Sequence, residues 1–476
     1  MLFFEEERVR VSVLKSLIVG FLIMGALSAA SCPAFALPAF ARKYGLRCSA
    51  CHEAWPLLNN FGQTFRDNGY QLGNDHDAPI YQAPAYFPIT VRMTPQWHHE
   101  TSGRTTVDAV PGNAASGLVE SNLRTSGFDL SGMDLWTAGT LAPNISFLVL
   151  PSSDPTASFH FESAWVRFDN LLHSRWLNVK IGKHELDLPV SEKRFLTLSN
   201  NGGFFHLYHF RPENPLLPVG AGQINTFGGI GDNQLGVEIG GHSRNSYTRY
   251  AFSVLSNVDG NVNLPSSGGY DYYGHFSQAF ELPHMGMQRV GAYAYVGEVP
   301  TFFLTNGGTP IPGAGRDNKS FYRAGAYGIW YWGKFDLSTL YMHGRDSAFL
   351  GTGTPGNLGS AGLPAGARDP TFNGGFAELH YNPTPQLVFT GRYEAIRMSQ
   401  QAFPLGTPLA NGHLLTSDFG NLDAYVFGYR WYPIMSSRAG LAWHQEYAWV
   451  RSVRTAPLSG LNVNASSYFM GFDFAF

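Results

Sequence analysis

Ser467-Tyr468-Phe469-Met470-Gly471-Phe472-Asp473-Phe474-Ala475-Phe476 ends the chain. It reads with a period of two: Tyr468, Met470, Phe472, Phe474 and Phe476 fall on one face and Ser467, Gly471 and Asp473 on the other. That period belongs to a β-strand whose two faces meet different surroundings. The reading recurs at Phe372 to Asn382, where Ala377, Leu379 and Tyr381 oppose Phe376, Glu378 and His380. It recurs again with Leu387, Phe389 and Tyr393 against Thr390, Arg392 and Glu394, and with Tyr425, Phe427, Tyr429 and Trp431 against Leu422, Ala424 and Arg430. One face is apolar and aromatic; the other is mixed and polar.

Working outward, the connections alternate too. Short turns fall at Ala142 to Asn144, Asn170 to Arg175, Gly241 to Ser246, Pro283 to Met287, Gly333 to Lys334, Asn382 to Gln386 and Pro433 to Ser437. Between them lie long Gly, Pro and Asn rich excursions: Ser102 to Asn122, Leu186 to Gly231, Ser256 to Gly268, Val299 to Asp317, Ser347 to Pro370, Ser399 to Gly420 and Thr455 to Leu461. Strands near residues 89, 128, 145, 160, 177, 235, 248, 271, 288, 320, 335, 373, 387, 422, 438 and 465 make sixteen, an even number that closes an antiparallel barrel. The expected fold is therefore all-β: a transmembrane barrel over residues 88–476 with short turns at one end and long loops at the other. A soluble sandwich or propeller would not call for aromatic outward faces, and no propeller-length repeat is evident.

Composition agrees. Charged residues are 14% of the chain, well below the usual quarter, so an apolar surface must face something other than water. A formal net charge of −3 gives no bulk attraction for nucleic acid. Arg8, Arg10 and Lys15 precede an apolar run from Leu17 to Ala30, and Ala34-Phe35-Ala36 supplies a cleavage pattern, so residues 1–36 read as an export signal. Cys32 offers a lipoprotein alternative. No later stretch is apolar for 18 residues, which excludes a spanning helix.

Cys48-Ser49-Ala50-Cys51-His52 stands apart from the strand pattern. Two thiols two residues apart with a histidine directly after are the pattern for covalent haem c: Cys48 and Cys51 would form thioethers and His52 would ligate iron. A zinc site would need more cysteines nearby, and a redox dithiol would want a βαβ setting. Leu57 or Leu58, Phe61 and Phe65 predict a helix opening at Pro56 and closing at Gly69. The module spans 37–73 and residues 74–87 read as a linker, so it is too small to shelter a haem alone and must borrow walls from the barrel. Met93, His76, His98 and His99 are the candidates for a second axial ligand. His184, Glu185, Asp187, Glu192, His206 and His209 form the densest set of hard and imidazole donors, best read as a solvated loop. Arg392, Glu394, His444 and Glu446 are expected to face the lumen, where they hold the plug or line water.

The combination resembles the monohaem cytochrome-porin fusions of the bacterial outer membrane, which include Fe(II)-oxidising cytochromes. The resemblance rests on Pro38-Ala39-Phe40-Ala41-Arg42, on Cys48, Cys51 and His52, and on the aromatic C-terminus ending in Phe476, which looks like that of bacterial outer-membrane barrels. It implies a cytochrome plug in the lumen, one covalent haem c, and electrons passing from an extracellular donor such as Fe(II) to periplasmic carriers such as soluble c-type cytochromes. Two alternatives stay open: a diffusion porin with a structural or sensory haem plug, and electron export to extracellular acceptors. No nucleophile triad, phosphate loop or paired-carboxylate pattern points to another chemistry.

Overall fold

The computed structural model describes residues 39–54, 57–72, 89–110, 113–153, 158–190, 233–256, 270–300, 305–306, 309–310, 318–345, 369, 371–398, 422–436, 439–452 and 464–476. The stretches read as an export signal (1–36) and a linker (74–87), together with His76, Glu192, His206 and His209, lie outside them.

The N-terminal module holds helices α1 (Ala39–Tyr44), α2 (Cys48–Cys51) and α3 (Asn60–Asp67) and a small antiparallel pair, β1 (His52–Ala54) and β2 (Leu57–Leu58). The wall strands follow: β3 (Ile89–Val110), β4 (Asn113–Ala142), β5 (Ile145–Ser153), β6 (Phe159–Phe168), β7 (Asn178–Glu185), β8 (Asn233–His242), β9 (Thr248–Ser256), β10 (Tyr270–Leu282) and β11 (Gly286–Pro300). A two-stranded excursion, β12 (Thr305–Asn306) and β13 (Thr309–Pro310), leads on to β14 (Asn318–Trp332), β15 (Phe335–Arg345), β16 (Thr371–Thr384), β17 (Leu387–Met398), β18 (Leu422–Met435), β19 (Gly440–Ser452) and β20 (Asn464–Ala475). Sixteen strands pair antiparallel with their chain neighbours, and β20 pairs with β3 to close the barrel.

The expected short connections all fall at one end, together with the start of β3 and the end of β20. At the other end, Ser102 to Asn122 is not a loop. The β3–β4 ladder continues through Arg104↔Asn122 and Asp108↔Leu118, with register shifts at Thr101/Arg104 and Asp108/Val110. Thr105, Thr106, Val107 and Val119 supply the β-branched content that extended pairing favours.

Alternation of the faces follows the sequence. Phe252, Phe276, Tyr341, Phe389, Phe427, Tyr447 and Phe472 are exposed on the outer surface. Outward rings meet across strands in rows, Phe335–Tyr381 (4.7 Å), Tyr381–Phe389 (6.3 Å) and Phe389–Tyr429 (6.2 Å), and in a second row Tyr393–Tyr425 (5.2 Å) and Tyr425–Trp449 (5.5 Å). Arg392, Glu394, His444 and Glu446 are buried on the inner face, as expected.

The inner face is not polar throughout. Tyr273, Tyr293, Tyr295, Phe321, Tyr327, Phe372, Phe376 and Ile396 form one buried apolar cluster with Leu186, Leu188 and Val190, the residues that follow β7. Tyr273 donates to the Asp187 carbonyl at 3.0 Å, which fixes this segment inside the barrel. The β9–β17 side of the lumen is thus packed like a core. Charged groups occupy both sides: Arg392 with Glu378 and Glu394 on this one, and Arg92 bridging Asp134 (3.2 Å) and Asp473 (3.1 Å) on the other.

Candidate functional site

Cys48 and Cys51 stand three residues apart in α2, a spacing that places both on one helical face. They are not joined in a disulfide, and both are half-buried. Burial first, and then the neighbouring Cys48, push the Cys51 thiol up to about 11. A thiol held neutral in this way is unlike the low-pKa dithiol of redox enzymes. His52 opens β1 directly after Cys51 and pairs with Leu58 of β2.

Asn59 joins this turn to the following helix. Its Oδ1 accepts from Gly62 N (2.9 Å), capping α3, while its Nδ2 donates to the Ala50 carbonyl (3.0 Å) and its backbone N–H donates to the Cys51 carbonyl (3.0 Å). The expected helix therefore starts later than Pro56: Leu57 and Leu58 are extended, and Phe61 is 44% exposed while Phe65 is buried. Gly62 is required here, because a Cβ would lie 2.1 Å from the Cys51 oxygen.

The module sits as a stopper across the short-turn mouth. Phe40, Phe65 and Tyr70 form an aromatic cluster, with Phe40 and Tyr70 stacked at 4.8 Å, and Tyr70 stacks on Trp165 of β6 at 6.2 Å. Arg249 of β9 grips Asp67 through Nε (2.7 Å) and Nη2 (2.9 Å), and the same Nη2 donates to Asp187 (2.7 Å). Arg66 pairs with Glu185 at 3.2 Å, and Arg167 donates to the carbonyls of Arg66 (3.0 Å) and Asp67 (3.1 Å). At the opposite side, Ala54 and Leu57 pack on Val388, Tyr432 and Ala442. The Ala39 N–H donates to Thr90 of β3 at 3.2 Å.

Burial pushes the Asp67 carboxyl up, but Arg249, then His242 and the Arg249 hydrogen bonds outweigh it and hold it at about 2. Asp187 is likewise held well below the carboxylate range, with Arg249 and His275 outweighing burial. Glu53 is raised, by burial first and then by Asp336.

His184, Glu185 and Asp187 are consequently not a solvated loop: His184 and Asp187 are buried and Glu185 is half-buried, and Glu185 and Asp187 join the network that anchors the plug. Arg392 bridges Glu378 and Glu394 of the wall at 3.0 Å each. Among the described candidates for a second axial ligand, Met93 and His99 are on the wrong face. Met93 lies opposite Met133 and Phe474, and His99 stacks on Trp97, which meets outward Tyr468. Their parity with Trp97 is readable in the sequence. His98 faces inward against Phe469, but it stands eight residues beyond Thr90 along β3, about 26 Å of strand.

Two thiols outside any disulfide, one turn apart and with an imidazole next in the chain, are the donor set that haem c requires, and the residues present fit it. A small open cleft separates the module's Leu58, Asn59 and Gln63 from Met287, Arg289 and Tyr331 of the wall. The module is three short helices and a two-stranded pair leaning on the barrel, and it is smaller than a free-standing helical cytochrome.

No family model matches the sequence, and no curated protein does. Among solved structures, the chain is similar to the anion-selective porin from Comamonas acidovorans, with 10% identity over 82% of this chain and 98% of that one and a TM-score of 0.48. It is also similar to the outer membrane channel DcaP of Acinetobacter baumannii, with 11% identity over 81% and 97% and a TM-score of 0.44.

Proposed function

We propose that this chain is an outer-membrane barrel whose mouth is closed to solutes by its own N-terminal module, and that the module carries one covalent haem c through which electrons cross the membrane. The observation that carries this reading is the position of the Cys48–His52 turn, inside the plug that spans the short-turn mouth. In outer-membrane barrels the short turns face the periplasm. The exposed aromatic outer surface suits lipid, and wall strands such as β15, with 11 residues, are long enough to cross.

Cys48 and Cys51 would hold the haem and His52 would ligate its iron; when bound, the group supplies a one-electron iron centre. The chain's own part is positioning and exclusion. Asn59 and Gly62 fix the turn against α3, Asp67 and Arg66 lock α3 to β9 and β7, and the apolar cluster behind them removes water from that half of the lumen. An extracellular donor such as Fe(II) and a periplasmic carrier such as a soluble c-type cytochrome are the partners that this arrangement suits.

A second reading, a diffusion channel with the haem module as a structural or sensory stopper, draws on charged groups in the lumen, where Arg92, Asp134 and Asp473 resemble the polar lining of water-filled barrels. Stopped-flow mixing of the purified oxidised protein with Fe(II) separates the two. Conversion to the reduced haem spectrum is expected, while an unchanged spectrum across a range of pH leaves the channel reading standing. The haem itself is tested by a covalent haem stain, which Cys51→Ala must abolish while the heat-modifiable mobility of the barrel persists.

A further inference from the structure

We infer that His444 of β19 is the wall's ligand to the haem iron that the module would carry; this rests on the haem reading above. His444 is 2% exposed and faces the lumen, and neither of its ring nitrogens has a hydrogen-bond partner among the described residues. Buried polar groups in folded proteins are nearly always paired, so an imidazole with both nitrogens unmatched calls for a partner. Imidazole is also the commonest protein ligand to metals.

Its place in the wall matches the module. Ala442, two residues earlier on the same inward face of β19, packs with Ala54 and Leu57, and two residues of strand span only about 7 Å. Tyr432 on β18 belongs to the same contact and lies within electrostatic reach of the Cys48 thiol. Ala54, two residues after His52 in the chain, therefore packs on the patch directly below His444. Arg430 is the Cα partner of His444 across the β18–β19 ladder. Of the other described candidates, Met93 and His99 face outward, and His98 lies in the row of Phe469 and Glu446, one inward step farther from the Ala442 contact than His444.

The test uses the full-length protein in detergent. Electron paramagnetic resonance and absorption spectra of the oxidised wild type should show a low-spin iron with two imidazole ligands. His444→Ala should keep the covalent haem stain and the heat-modifiable mobility, lose the low-spin signature and regain it on addition of free imidazole. His98→Ala should leave the spectrum unchanged. A low-spin spectrum retained in His444→Ala overturns the assignment, as does a wild-type spectrum showing thioether ligation or a high-spin iron. The wild-type result stands even if the variant fails to fold. Absence of covalent haem from the wild type would instead overturn the reading on which the assignment rests.

Discussion

The plug meets the barrel wall in two different ways. Against β6, β7 and β9 directional ion pairs are added to aromatic packing: Asp67, Arg66 and the last turn of α3 are held by Arg249, Glu185 and Arg167, while Phe65 and Tyr70 pack on Trp165. Against β17, β18 and β19 it is apolar, with Ala54 and Leu57 on Val388, Tyr432 and Ala442. Ion pairs define one orientation, because a buried charge left without its partner is costly. Apolar contact keeps water out and imposes no such direction. The module is thus locked at the end of α3, and the Cys48–His52 end is sheltered by side chains that bring no charge of their own.

The largest break in this comparison should come from Asp67→Asn. It removes the carboxylate gripped by Arg249 and should cost plug docking about 4 kcal/mol. Limited proteolysis should then cut the module while the barrel keeps its heat-modifiable mobility. Leu57→Ala on the apolar side should cost about 3 kcal/mol, the usual scale for emptying a buried leucine site, and should raise ion conductance in planar bilayers less than Asp67→Asn does. Gly62→Ala acts between the two contacts, forcing a Cβ into the Cys51 carbonyl at about 2 kcal/mol, and should lower covalent haem per barrel on a stained gel.

The smallest effect is that of acid. Asp67 is held at about 2, below its ordinary value near 3.8, so its contribution is complete above about pH 4 and is lost as pH falls toward 2. Protease sensitivity of the module should therefore be flat from pH 7 to 5 and rise only below about 4, and Asp67→Asn should remove that rise.

Much of the wall is legible in the sequence because strand alternation is local: Tyr425, Phe427 and Tyr429 face out, and Ala424 and Arg430 face in, by period alone. The short turns are legible for the same reason. The packed half of the lumen is not, since Tyr272 and Tyr273 are neighbours on opposite faces and aromatic content cannot tell lipid from core there. Docking of the plug is also hidden. Asp67 and Arg249 are 182 residues apart, and only closure of the barrel brings them together. Within the module, Asn59 is a readable cap that the apolar spacing of Leu57, Phe61 and Phe65 overshadows. The motif Cys48 to His52 is plain, but in sequence its wall partner His444 is like any other lumen residue; what distinguishes it is that Ala442, two residues earlier, meets Ala54.

The most direct test places the full-length protein in vesicles that enclose oxidised cytochrome c, with Fe(II) outside and a small fluorescent solute inside. The enclosed cytochrome c should become reduced while the solute stays in, and Cys51→Ala should stop the reduction without causing a leak. Reduction that appears only together with solute loss, or no reduction at all, would contradict a barrel that passes electrons and holds back solutes.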